Sequence, residues 1–286
     1  MTPSISILHN LLLLLLLLPS PLFSLSLPTL SPTFDVPSPN VFTFPKSPPL
    51  QSSPFSSHLC LPTSFGPPGS GILIDQCEVS MLPSLPPSTK IKAIVLTSKA
   101  GLLSPKLDPS HTPQEMLAST NPSNQPLLHL SNSLSSPLII IHRHDVPPWL
   151  RMVPGLNLHV LDGYGPWSLS LSPSGSAVCS PSSPSYGCGF VFLHHCPGFT
   201  LGSVVVSVPG DGLAFTGNAV PVTERLDGGG VISEMKSVGR AMESLGGIRG
   251  WKGVGRIVTS REGAREVGGW EEFVDGKVGV LERFSE

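Results

Sequence analysis

The sequence predicts an α+β fold in which two β-sheets pack together with helices on the outside, and three observations carry that prediction. Short apolar or β-branched runs recur from Val41 to Val258, bounded by Pro, Gly and Ser. Many of these runs lack polar alternation, so they need cover on both faces. Apolar residues at three- and four-residue steps come late, at 232–245 and 267–281, as two outer helices require.

The start of the 286-residue chain stands apart from this pattern. The apolar run Leu11–Leu18 is stopped by Pro19. It falls short of the roughly 20 apolar residues that cross a bilayer as a helix. It fits the h-region of a signal peptide, with a cleavage point around 24–26, although no Lys or Arg precedes it. Residues 1–25 therefore read as a signal peptide-like leader and 26–39 as a Ser/Pro-rich linker, with the folded domain at 40–286. The implied destination is the secretory pathway, either secretion or an organelle reached through a two-part leader. The alternative is a cytoplasmic protein whose leader targets nothing. No transmembrane helix is expected once the leader is removed.

Composition narrows the function classes. Charged residues make up 13% and the net charge is −2, so no basic patch suits a nucleic-acid partner. The 33 prolines crowd into the first half, and most Arg, Lys and Glu fall in the last sixty residues. The five cysteines, Cys60, Cys77, Cys179, Cys188 and Cys196, form no CxxC pair. An odd number argues against a complete disulfide framework. Cys179 and Cys188 flank a turn-rich stretch and are either bridged, in an oxidising compartment, or unpaired.

In chain order the predicted strands are 41–44, 58–61, 71–75, 91–97, 138–142, 158–161, 190–193, 203–208, 213–215 and 256–258. Short helices are expected at 113–117 and 147–152. The first long helix carries Ile232, Met235, Val238, Met242 and Leu245, with a Ser233 cap and an end at Gly246-Gly247. The second carries Val267, Trp270, Val274, Val278 and Leu281, despite glycines that each cost about 1 kcal/mol relative to alanine.

Five segments carry a family resemblance. They are GILIDQCE (71–78), IKAIVLTSKAGLLSPKL (91–107), PLIIIHRHDVPPWL (137–150), CPGFTLGSVVVSVPGDGLAFTGNA (196–219) and RIVTSREG (256–263). In order and strand context they resemble the metallo-β-lactamase patterns ILIDTG, IxxIVLTHxHxDHxGGL, PVYAHEADLPWL, TPGHTPGS with FTGDA, and VVPGHG. The resemblance runs from about residue 40 to the C-terminus. It implies an αββα sandwich of two mixed β-sheets covered by helices.

The resemblance also implies chemistry. In that family histidine and carboxylate ligands hold one or two ions, usually zinc, which lower the pKa of bound water to about 7. Here Ser98 and Ala100 stand at the first two histidines, and Leu102 and Leu103 at the Asp-His pair. Phe199 stands at the third histidine, Asn218 at the bridging aspartate and Arg261 at the last histidine. None is a strong zinc donor, and a cation at Arg261 opposes metal. Leu102 and Leu103 are expected to fill the old site with apolar volume. Only Asp75 keeps the family's residue, and its expected role is structural, capping N–H groups at a strand end. The implied protein has no cofactor and no catalytic residues. It is a non-catalytic binding or structural protein, with a small molecule or another protein as partner.

The second reading is a metal-dependent hydrolase with zinc in a rebuilt site drawn from His142, His144 or His195, with Asp211 as a further donor. In an extended strand His142 and His144 face the same way, so both reach one ion; otherwise HRHD is a polar cap at the strand end. His194, His195 and Cys196 alternate across a strand, and a composite of His144, His195 and Cys196 is the site they offer. Ser98 as a nucleophile needs a base, and only Lys99 is adjacent. Cys77 reads as a buried thiol. Gly228–Gly230 and Gly246-Gly247 lack the strand-loop-helix context of a phosphate loop.

Overall fold

A computed structural model of the chain describes residues 40–44, 57–63, 67–102, 125–172, 175–180, 191–220, 237–259 and 263–283. They belong to one compact unit, Phe34–Glu286. The leader, the linker up to residue 39, the 113–117 helix, Cys188, Gly228–Gly230, Leu103 and Arg261 lie outside the described residues.

The first sheet takes its strands in chain order: β1 (Val41–Phe44), β2 (Ser57–Cys60), β3 (Ser70–Ile74), β4 (Lys90–Val95), β5 (Leu138–His142) and β6 (Leu158–Leu161). β1–β2 and β2–β3 pair antiparallel, whereas β3–β4, β4–β5 and β5–β6 pair parallel. The second sheet holds β7 (Trp167–Ser172), β8 (Gly175–Cys179), β9 (Val191–His195), β10 (Val204–Val208), β11 (Leu213–Gly217), β12 (Arg256–Thr259) and β13 (Gly263–Glu266). Its order is β13-β12-β11-β10-β9-β7-β8, antiparallel except for β11–β12. Each sheet is therefore built from one contiguous stretch of chain, 41–161 and 167–266.

The inner faces meet in one core: Ile72, Ile74, Val95 and Ile140 from the first sheet against Leu193, Val204, Val206 and Phe215 from the second. The uninterrupted apolar strands follow from cover on the other side too. Helix α1 (Pro126–Ser133) lays Leu127 and Leu130 over Leu73, Ile94 and Ile139. Helices α2 (Val238–Arg249) and α3 (Trp270–Glu282) lay Ala241, Leu245, Ile248, Val274 and Leu281 over Val205, Ala214 and Ile257. The result is a helix–sheet–sheet–helix sandwich of two mixed sheets. No helix among the described residues is long and apolar enough to cross a membrane.

Several boundaries differ from the sequence expectation. Ile232, Ser233 and Met235 lie outside the described residues; α2 is capped by Ser237, whose Oγ accepts from the Arg240 N–H at 3.2 Å. It also continues through Gly246-Gly247. Both glycines are exposed, and the extra turn buries Ile248, which offsets a glycine cost of about 1 kcal/mol each. α3 begins at Trp270 and leaves Val267 outside. β7 reads WSLSLS, which looks like more of the serine-rich texture around it. Its period of two nonetheless turns Trp167, Leu169 and Leu171 into the inner core. α1, β8 and β13 also lay outside the expected elements.

Candidate functional site

Among the described residues, the family's metal positions Ser98, Ala100, Leu102, Phe199 and Asn218 fall on loops at one edge of the sandwich, where β4 and β11 end and β9 turns into β10, and β5 ends at the same edge. Two buried carboxylates hold these loops. Asp75 follows β3 in a left-handed conformation, with φ of 60°. Its carboxylate accepts the Thr97 N–H at 2.8 Å and the Thr97 hydroxyl at 2.9 Å. Thr97 in turn accepts the Val204 N–H at its carbonyl, 2.7 Å away, so one residue ties the first sheet to the second. Two glycines make room. A Cβ on Gly101 would overlap Asp75 Oδ1, and a Cβ on Gly217 would overlap Thr97 Oγ1. Gly217 also has φ of +53°, which side chains rarely adopt.

Asp145 is 3% exposed and closes the 3₁₀ turn Arg143–Asp145 after β5. Its carboxylate accepts the Lys99 N–H at 3.0 Å, the Gly202 N–H at 3.2 Å and the Thr200 hydroxyl. These three hydrogen bonds tie the turn after β5 to the loop after β4 and to the β9–β10 loop. A Cβ on Gly202 would come within 2.7 Å of Asp145 Cγ, so this contact too needs glycine.

The positions that ligate metal in the resembling family carry no comparable donors. Ser98 is 1% exposed, and its Oγ accepts the Ala100 N–H at 3.2 Å as the cap of a 3₁₀ turn. Phe199 is buried in the β9–β10 loop, and Asn218 is buried just past β11. Leu102 belongs to the apolar layer of Leu96, Leu127 and Leu130 under α1, on the outer face of the first sheet. A hydroxyl serving as a cap, a methyl, a phenyl and a neutral carboxamide are not the imidazole, thiolate and carboxylate groups that usually bind zinc.

The histidines come together in a different way from the one expected. β5 ends at His142, so HRHD is a 3₁₀ turn and not an extended pair of ligands. The His144 N–H donates to His142 Nδ1 at 3.4 Å. His195, at the end of β9, stacks on His142 with ring centroids 4.0 Å apart and planes 12° apart. His144 lies 5.2 Å from His142 and 6.5 Å from His195. His142 Nε2 lies 3.1 Å from the Gly163 carbonyl and His195 Nε2 2.8 Å from the Leu201 carbonyl, so both nitrogens are assigned as donors. Stacked rings direct their in-plane lone pairs side by side and not toward one point. Of the nitrogens of these three rings, His195 Nδ1 is buried with no partner among the described residues. Burial lowers the His142 pKa to about 4, against the pull of the Gly163 carbonyl, and burial lowers that of His195 as well. Among the described residues no group of three His, Cys, Asp or Glu is arranged to hold a metal ion.

Other candidates are dispersed. His194 lies on the opposite face of β9, 4.0 Å from the Trp251 ring and 3.2 Å from Ser207 Oγ, and burial lowers its pKa to about 4. Cys196 is buried in the layer beneath α2, where burial pushes its thiol up to about 12, so no composite with His144 and His195 forms. Burial pushes the Cys77 thiol up to about 12 as well. Asp211 sits beyond the far end of β10, paired with the Thr63 N–H at 3.1 Å and the Thr63 hydroxyl. Sequence reasoning placed Asp145 in a polar cap at the strand end, as its hydrogen bonds show, but not as the anchor of the loops after β4 and β9. It also missed His58. That residue is 1% exposed, with Nε2 3.1 Å from the Thr259 carbonyl and Nδ1 3.1 Å from Thr43 Oγ1. Nothing in SHLC marks it.

No protein-family model and no curated protein sequence matches the chain. Solved structures do. DIM-1 metallo-β-lactamase is 12% identical, with 86% of this chain and 94–95% of that chain covered and a TM-score of 0.52. A metallo-β-lactamase from Erythrobacter litoralis, with β-mercaptoethanol in its active site, is 15% identical over 85% of this chain and 92% of its own, with a TM-score of 0.51. TMB-1 is 13% identical over 81% and 88%, with a TM-score of 0.51. The chain has the metallo-β-lactamase fold.

Proposed function

We propose that this chain is a degenerate relative of the metallo-hydrolases whose loop edge binds a small molecule or a protein without catalysing a reaction. The observation that carries the reading is the donor set. Ser98, Ala100, Phe199 and Asn218 replace ligands with groups that do not grip zinc, and Leu102 points into a hydrophobic layer. The loops themselves are still held by Asp75 and Asp145. Such an edge offers a shaped surface without the ion that would activate water. Metal analysis of the purified full chain tests this. Less than about a tenth of an equivalent of zinc or iron is expected, and a stoichiometric ion overturns the reading.

A rebuilt zinc site is the second reading, favoured by one observation. His142, His144 and His195 lie within 6.5 Å of one another, and His195 Nδ1 lacks a partner. It requires the stacked pair to separate and His142 or His195 to leave its carbonyl. Bound zinc that is lost in His195→Ala would establish it. The secretory leader belongs to the same proposal. A mature N-terminus near residue 25 supports secretion, one near 40 supports a second processing step, and an intact Met1 argues for the cytoplasm.

A further inference from the structure

We propose that a cavity at the opposite edge of the first sheet binds a phosphate monoester of a small polyol. The cavity is about 450 Å³, at the lower end of the range that ligand sites occupy. It opens where β4 and β5 begin, beneath the end of α1, and β8 of the second sheet closes one side. Lys90 and Lys92 line it together with Ser135, Ser136 and Asn157, and no carboxylate is among its lining residues as described.

Charge decides the ligand class. Neither lysine forms an ion pair among the described residues, whose bridges are Arg143–Asp162, Arg249 with Glu271 and Asp275, and Arg256–Glu266. In a chain with only 13% charged residues, two uncompensated cations on one cavity are a local excess of positive charge. A phosphate monoester carries nearly two negative charges near neutral pH and matches that excess. The end of a helix would oppose an anion if its carbonyls stood free. Here the N–H groups of Leu134, Ser135 and Ser136 take up the Leu130, Ser131 and Asn132 carbonyls. The serine hydroxyls and the Asn157 amide suit the hydroxyls of a polyol better than an apolar body. The wall is also fixed on the second-sheet side, where Ser176 Oγ donates to the Lys92 carbonyl at 3.0 Å.

Calorimetric titration of the full chain with glycerol 3-phosphate tests the assignment. Saturable one-to-one binding is expected, weakened about tenfold or more in Lys90→Gln/Lys92→Gln and unchanged in Arg143→Gln, whose cation lies at the other edge. Glycerol alone is expected not to bind. Absence of binding, equal affinity in the double variant, or equal affinity for sulfate at matched ionic strength each overturns the proposal. If the double variant does not fold, Lys90→Gln alone, at an exposed position, gives the same readout.

Discussion

The two ends of the first sheet are built on opposite principles. Where β4 and β5 end, two buried carboxylates accept N–H and hydroxyl donors from loops of both sheets, and three glycines sit against them or their partner Thr97 with no space for a methyl group. Where the same strands begin, the chain leaves a cavity lined by lysines and serines. The clamped edge is the one where Ser98, Ala100, Phe199 and Asn218 stand at the positions the family resemblance assigns to ligands. The carboxylates that hold its loops, Asp75 and Asp145, are separate from those positions.

The strongest challenge to this contrast is Asp145→Ala. It leaves the Lys99 and Gly202 N–H groups without their carboxylate acceptor and the Thr200 hydroxyl with only Ser203 Oγ, and stability is expected to fall by about 3 kcal/mol or more in urea unfolding. A loss below about 1 kcal/mol would mean the loops are held by something else. Gly101→Ala follows at about 2–3 kcal/mol, because the new methyl must displace Asp75 from Thr97. Acidification comes next. Burial lowers His58, His142 and His194 to about 4 from an ordinary 6.5, so the unfolded chain takes up these protons first. Their contribution is complete above pH 6.5 and is lost as pH falls toward 4; for fully buried His58 the loss is roughly 2 kcal/mol between pH 6.5 and 5. Urea midpoints that do not change between pH 7.5 and 5 would contradict it. The smallest effect belongs to the other end, where Lys90→Gln is expected to change stability by less than about 0.5 kcal/mol.

How far the sequence reveals this structure varies by element. Strands such as LIIIH and VVVSV were legible because burial on both faces demands unbroken apolar runs. β7 was not, because Ser at every second position is also what a linker looks like. The end of α2 was misplaced because glycine propensity is local, whereas the seat for Ile248 is tertiary. At the site, Asp75 was readable from its place after an apolar strand. The stacking of His142 on His195 was not, since it joins residues from different sheets and rests on how a 3₁₀ turn ends β5. Leu102 keeps its place in the motif order, and only the structure shows that its side chain joins the apolar layer under α1.

The division of the sheets along the chain has a further consequence. Everything up to Leu161 completes the first sheet, and every inner residue facing it arrives later, from Trp167 onward. During synthesis the early half must wait on the ribosome with Ile72, Ile74, Val95 and Ile140 uncovered, a sticky surface during the seconds that translating the remainder takes. A messenger cut short between the halves would yield a product with that inner face uncovered.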